Sequence, residues 1–323
     1  MTARRLASLP RLPRAAAAAV ALAMLAGPGR ATGQPVATSV YARSGTGGPP
    51  AAEPEAPAQQ AERIIAGALA ALDRAPSLHV EFRHKARIDS RVVVGKGRYL
   101  QSGNGEEQRY RFESLLRAET ESFETTEVCD GVTAWSYRRM GVDPPRLERL
   151  DVRRARERIA EFGPTGNASM SRHLGGLQHA LWTARQWFRF QTATAADVDG
   201  LQAWVVEGRW HPDSLAAIEP KLEQACRRTG GVLPEELPDG MPWSIRVTVA
   251  RTDLLPRRVE YLAIPGPRPA AARPPEPIAV LDLFDVRVGQ PVDASAFLYR
   301  PAPELGQHDI TDATVPRLGP MRP

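Results

Sequence analysis

An abrupt change of hydrophobic period constrains this chain more than any other feature. Ala61, Ile64, Ile65, Ala68, Leu69 and Leu72 recur at helical spacing, and Pro76 stops that helix. From Leu78 the period drops to two. Leu78, Val80, Phe82, Ala86 and Ile88 alternate with His79, Glu81, Arg83, Lys85 and Arg87. One apolar and one charged face is the pattern of a strand in a half-buried antiparallel sheet.

Period-two segments then continue almost to the C-terminus. Val92–Val94 and Tyr99 predict a second strand, in which Gly95 and Gly97 permit a bulge or a sharp bend. Tyr110 and Phe112 share one face of the next, and Phe123–Cys129 predicts another. Asp130-Gly131 is a tight-turn signal before Thr133, Trp135 and Tyr137, and Asp199-Gly200 is a second one before Leu201–Trp210. Strands are further expected over Trp243–Arg251, Arg257–Ile264 and Ile278–Val288. Residues 151–190 read as mainly helical, with Leu174, Leu177, Leu181, Ala184 and Phe188 as one stripe. A helix is also expected over Ser214–Arg228, closed by Gly230 and Gly231. The class is α+β, mainly antiparallel β, in one domain over residues 58–303 with a helical insertion at about 151–190. The tail 304–323 has no periodicity and is expected to be disordered.

The N-terminus predicts export. Arg4, Arg5, Arg11 and Arg14 precede an apolar run, Ala15–Ala26, that is shorter than the about 20 residues a membrane span needs. Small residues follow, so residues 1–31 read as a secretory signal cleaved after Ala31. Pro28 stands where lipid attachment would need Cys, so a periplasmic or otherwise exported protein, soluble after cleavage, is expected. Residues 32–57, rich in Pro, Gly and Ala, read as a disordered spacer. The chain holds 42 basic and 37 acidic residues, a net charge of +5. Removing the five arginines of the signal leaves 37 basic against 37 acidic residues. That balance offers no basic stripe for nucleic acid.

Catalytic signatures are missing. No HExxH, GxSxG, phosphate-loop or dinucleotide motif occurs. His79 and His84 are five apart on a strand and point to opposite faces, and His173 and His179 diverge on a helix. Glu106-Glu107 and Glu235-Glu236 fall in loops. The expectation is a protein that is not an enzyme and carries no cofactor or metal. Cys129 and Cys226 lack zinc-ligand spacing. Export leaves them open either to a disulfide or to two separate buried thiols. Arg146, Arg149, Arg153, Arg154, Arg156 and Arg158 alternate with acids, as on a solvated, ion-paired helix. The alternative is a docking surface for anionic lipid headgroups.

Four features, in order, resemble one family. They are the signal followed by an amphipathic helix leading into a long strand; Cys129-Asp130-Gly131-Val132-Thr133-Ala134-Trp135-Ser136-Tyr137; Leu254-Leu255-Pro256-Arg257-Arg258-Val259-Glu260-Tyr261; and Leu283-Phe284-Asp285-Val286 running on to Phe297-Leu298-Tyr299-Arg300-Pro301. Residues 58–303 are similar in these respects to the periplasmic lipoprotein carriers (LolA-like) and their relatives among periplasmic stress regulators. The resemblance implies an incomplete, half-open β-barrel whose concave face is covered by helices. It also implies a monomer that binds lipid or lipoprotein acyl chains, or a sensor of the same fold with a membrane-protein partner. On that basis Phe82, Tyr110, Phe112, Trp135, Tyr137, Trp204 and Val206 are the candidate cavity lining, and Ile64, Ile65, Leu69 and Leu72 mark a candidate lid helix. The same residues equally suit a filled core beneath a permanently docked helix.

Overall fold

The computed structural model describes residues 56–88, 91–118, 121–161, 175–264 and 274–318. The expected signal, nearly all of the spacer, His173 and Leu174 lie outside these residues.

Two antiparallel meanders build the sheet. The first comprises β1 (Ser77–Ile88), β2 (Arg91–Ser102), β3 (Arg109–Arg117), β4 (Ser122–Cys129), β5 (Thr133–Met140) and β6 (Arg146–Asp151). The second comprises β7 (Phe188–Val198), β8 (Leu201–Trp210), β9 (Ser244–Ala250), β10 (Pro256–Ala263) and β11 (Glu276–Val288). β11 pairs along β1 and joins the two. A short β12 (Gln307–Asp309) adds in parallel to β6. The order is β12-β6-β5-β4-β3-β2-β1-β11-β10-β9-β8-β7, so β12 and β7 are the two ends and the sheet does not close.

Local chemistry sets the connections. Asp130 Oδ1 accepts from the amides of Val132 (2.8 Å) and Thr133 (2.7 Å), which fixes the β4–β5 turn. Asp199 and Gly200 take φ of 53° and 80°, as a two-residue primed hairpin requires. Pro256 opens β10, where a strand tolerates a missing amide proton.

Helices cover one face. α1 (Pro57–Arg74) buries Ala61, Ile64, Ile65, Ala68, Leu69 and Leu72, the same six residues that recur at helical spacing. It packs against β7, β8 and α3 (Gly176–Trp187). The insertion consists of α2 (Val152–Ala160) and α3, and it begins only after β6. Arg146 and Arg149 therefore stand on a strand and not on the expected helix. The remaining arginines of that run are on α2. Arg153, Arg154 and Arg158 pair with Glu157, Asp312 and Glu161, and Arg156 donates to the Glu106 carbonyl.

Two further expectations are corrected. Pro220 splits the helix expected over Ser214–Arg228 into α4 (Pro212–Ile218), a 3-10 turn and α5 (Glu223–Thr229). Leu283–Val286 lie in β11, and Phe297 follows at the end of a 3-10 turn capped by Asp293. The expected disordered tail carries β12 and α6 (Thr311–Leu318), tied down by Ile310 N–H to Arg149 O (2.9 Å) and Asp151 N–H to Thr311 Oγ1 (2.9 Å).

Candidate functional site

Ladder register decides which side chains share the helix-covered face. Val80, Tyr99, Phe112, Glu127, Ser136 and Glu148 lie in one row across β1 to β6. Phe82, Gly97, Ser114, Thr125 and Arg138 form the next, and Leu78, Gln101, Tyr110, Cys129, Ala134 and Leu150 flank the first on its other side. Val206 reaches the same face through Val247, Val259 and Leu281, which stands opposite His84, and Trp204 is two residues from Val206. Phe82, Tyr110, Phe112, Trp204 and Val206 are thus brought to one face. Trp135 and Tyr137 are not. They alternate with Ala134 and Ser136 and project from the opposite face, where Trp135 meets Tyr299 at 5.9 Å between ring centroids. Their assignment to the same lining is corrected by one residue of register.

Two glycines shape the apolar part. A Cβ on Gly97 would overlap both the Phe82 ring and the Glu113 carbonyl. Its absence lets Phe82 lie over β2 and stack on Phe112 at 5.1 Å, 13° from parallel. Gly176, at φ 73°, brings the start of α3 against the Tyr99 hydroxyl. Tyr99 in turn donates to Gln178 Oε1 (2.9 Å), and Gln178 and Gln101 donate to the Leu72 carbonyl at the end of α1 (both 3.3 Å). The helices are therefore tied to the sheet by a buried amide network that periodicity did not single out.

Beside the Phe82–Phe112 stack the face turns polar while staying buried. Ser114, Thr125 and Glu127 are 4%, 2% and 2% exposed. Arg138 sits 3.8 Å from Glu127 and 4.0 Å from Glu148. Among the described residues the hydroxyls of Ser114, Thr125 and Ser136 have no hydrogen-bond partner. His84 shares this face and is 2% exposed, its Nδ1 also lacks a partner, and burial pushes its pKa down to about 4. The only sequence signal for this strip is polar residues at every second position, Thr125–Glu127 and Ser136–Arg138. In a one-sided sheet that pattern reads as the wet face.

Cys129 and Cys226 are both free, buried thiols. Cys129 faces Tyr110 within the first meander, where burial raises its pKa to about 11. Cys226 sits on α5, far along the chain in the second half. Among the described residues no group of three metal-ligating side chains occurs, and no helix is long and apolar enough to cross a membrane.

No protein-family model and no curated protein matches the sequence. Solved structures do. LprF from Mycobacterium bovis is 15% identical, with 77% of this chain and 99% of that one covered at a TM-score of 0.34. MucB is 11% identical, covering 75% of this chain and 62% of MucB at 0.36. A LolA superfamily protein from Nitrosomonas europaea is 13% identical, covering 74% and 97% at 0.27. Over about three quarters of its length this chain is similar in structure to LolA superfamily proteins, LprF and MucB, the same group its short motifs resemble.

Proposed function

We propose that this protein is an exported binding protein that holds an acyl chain, free or on a lipoprotein, between the helix-covered face of its sheet and the helices. In this reading residues 1–31 are the signal, 32–57 a spacer, and the folded body binds its ligand non-covalently. One observation carries the proposal. The face that presents the Phe82–Phe112 stack also presents Ser114, Thr125 and Ser136 buried without partners. A dry core would leave each hydroxyl unsatisfied at a cost of about 1–3 kcal/mol, and buried polar groups in native proteins are nearly always satisfied. An amphiphile answers both halves. Its chain takes the aromatic wall, which needs area and not direction, and its ester or amide head meets the hydroxyls. α1, with three alanines among its eight residues from Ala61 to Ala68 and Ala70–Ala71 beyond, docks with less buried area than a Leu-rich helix, which suits a cover that moves.

Native mass spectrometry of the full chain exported to an oxidising compartment tests this. Co-purifying lipid, or uptake of a fluorescent fatty acid, is expected. Thr125→Leu, which fills the polar strip, should abolish it, while Trp135→Ala on the opposite face should leave it unchanged. A clean unliganded mass with no probe uptake by the folded wild-type protein would refute the proposal.

A further inference from the structure

A cavity of about 210 Å³ lies at the β7–β8 end of the sheet. Arg189, Arg209, Trp210 and Trp243 line it, beside residues of α4 and of the Gly230–Val232 segment. Arg189 and Arg209 stand directly opposite each other across β7 and β8, in alternation with Phe188, Phe190 and Gly208 of the helix-covered face. Like charges placed directly opposite each other in a ladder are destabilising. Among the described residues neither guanidinium has a carboxylate within 4.0 Å. Glu207, the nearest acid in sequence to Arg209, is taken by Arg246 at 2.8 Å. Arg209 lies on the Trp243 ring, 3.0 Å from its centroid, and its buried Nη1 has no hydrogen-bond partner. Stacking of this kind fixes the guanidinium plane and leaves its edge free to donate. Burial lowers the Arg209 pKa to about 10, against the opposing pull of Glu207, so the cation is held partly out of water while remaining charged.

From this geometry we infer that the Arg189–Arg209 cavity is a binding site for a phosphate group. Two arginines lining one cavity match a doubly charged oxyanion, and the arginine fork is the side chain that grips phosphate with paired donors. The apolar wall of Trp210, Pro212, Leu215 and Val232 accommodates whatever small apolar group the phosphate carries. The volume admits a headgroup and not an acyl chain. Free phosphate and a phospholipid headgroup share this chemistry. Because the cavity on β7–β8 and the polar strip on β3–β5 are separated along the sheet, either can fail without the other.

Trp210 and Trp243 give the site its own fluorescent report. The full-length exported protein is titrated with sodium phosphate against sodium chloride at matched ionic strength, and separately with vesicles of phosphatidic acid or of phosphatidylcholine. Saturating fluorescence change and a raised Tm with phosphate, absent with chloride, are expected. Arg209→Gln and Arg189→Gln should each weaken binding at least about tenfold, the loss of a charge-assisted hydrogen bond. Arg189 is exposed, so its variant keeps the test valid if Arg209→Gln does not fold. Arg189→Gln should also raise the Tm in the absence of phosphate by relieving the repulsion. A response to phosphatidic acid vesicles alone, lost in the same variants, assigns the site to headgroups. The inference is overturned if neither phosphate nor phosphatidic acid binds, or if both glutamine variants bind as the wild type does.

Discussion

Gly97 shows how one missing side chain sets the aromatic wall. Because the Glu113 carbonyl it faces is part of the β2–β3 ladder, neither neighbour has room to yield to a Cβ. Gly97→Ala is expected to cost at least about 3 kcal/mol, the upper range for overpacking, or to abolish folding, read from urea unfolding or from the yield of folded protein. His84 is the residue-scale source of acid sensitivity. Its pKa falls from an ordinary 6.5 to about 4 because burial opposes the charged form. The unfolded chain therefore takes up a proton below pH 6.5 that the folded chain refuses until about pH 4. Stability is intact above pH 6.5 and is lost as pH drops through that window, by on the order of 3 kcal/mol. His84→Gln should remove this slope, seen as a smaller difference between urea midpoints at neutral and at acid pH. An unchanged difference would show that the histidine titrates normally.

Single elements were legible where one period ran unbroken and flanking residues punctuated it. α1 is the clear case, bounded by Pro57 and Pro76 with six buried residues at helical spacing. What the spacing did not hold is the way α1 is fastened. Gln101 and Gln178 are polar residues far along the chain, and only the fold brings both amides to the Leu72 carbonyl, with Gln101 also reaching Ala75 O at 3.3 Å. Gln101→Met keeps the volume and removes those donors. The buried carbonyls left behind should cost about 1–3 kcal/mol, and the amides of the last turns of α1 should exchange faster with deuterium. Unchanged exchange would mean that the apolar face alone holds the helix. Pro220 shows the opposite failing, because a continuous apolar stripe through Leu215, Ile218, Leu222 and Cys226 concealed the break between α4 and α5.

At the scale of the whole molecule, the sequence indicated where most of the strands lie better than how they meet. Trp135 and Tyr137 were correctly read as strand residues, yet the side they face depends on the turn at Asp130, and no periodicity within β5 carries that information. Long-range pairing is similarly silent in the sequence. The β1–β11 seam joins residues some two hundred positions apart, and β12 is too short to register a period. β12 nevertheless has a job that follows from the open sheet. Without it, β6 would be a bare edge, a ready template for another chain. β12 lies along Leu147–Arg149, Arg149 pairs with Asp309 at 3.8 Å, and α6 is pinned to α2 through Arg154 and Asp312 at 2.8 Å. Exposed pairs of this kind add little individually, so the backbone pairing and the burial of Thr311 and Thr314 carry most of the attachment. Ending the chain at Pro303 is therefore expected to lower the Tm by several degrees, in line with a loss of about 1–2 kcal/mol, and to produce dimers or larger species in size-exclusion chromatography. A truncated protein with the wild-type Tm and elution volume would mean that β6 is protected by its own charges, Arg146, Glu148 and Arg149, and that β12 is an accessory to the sheet rather than its guard.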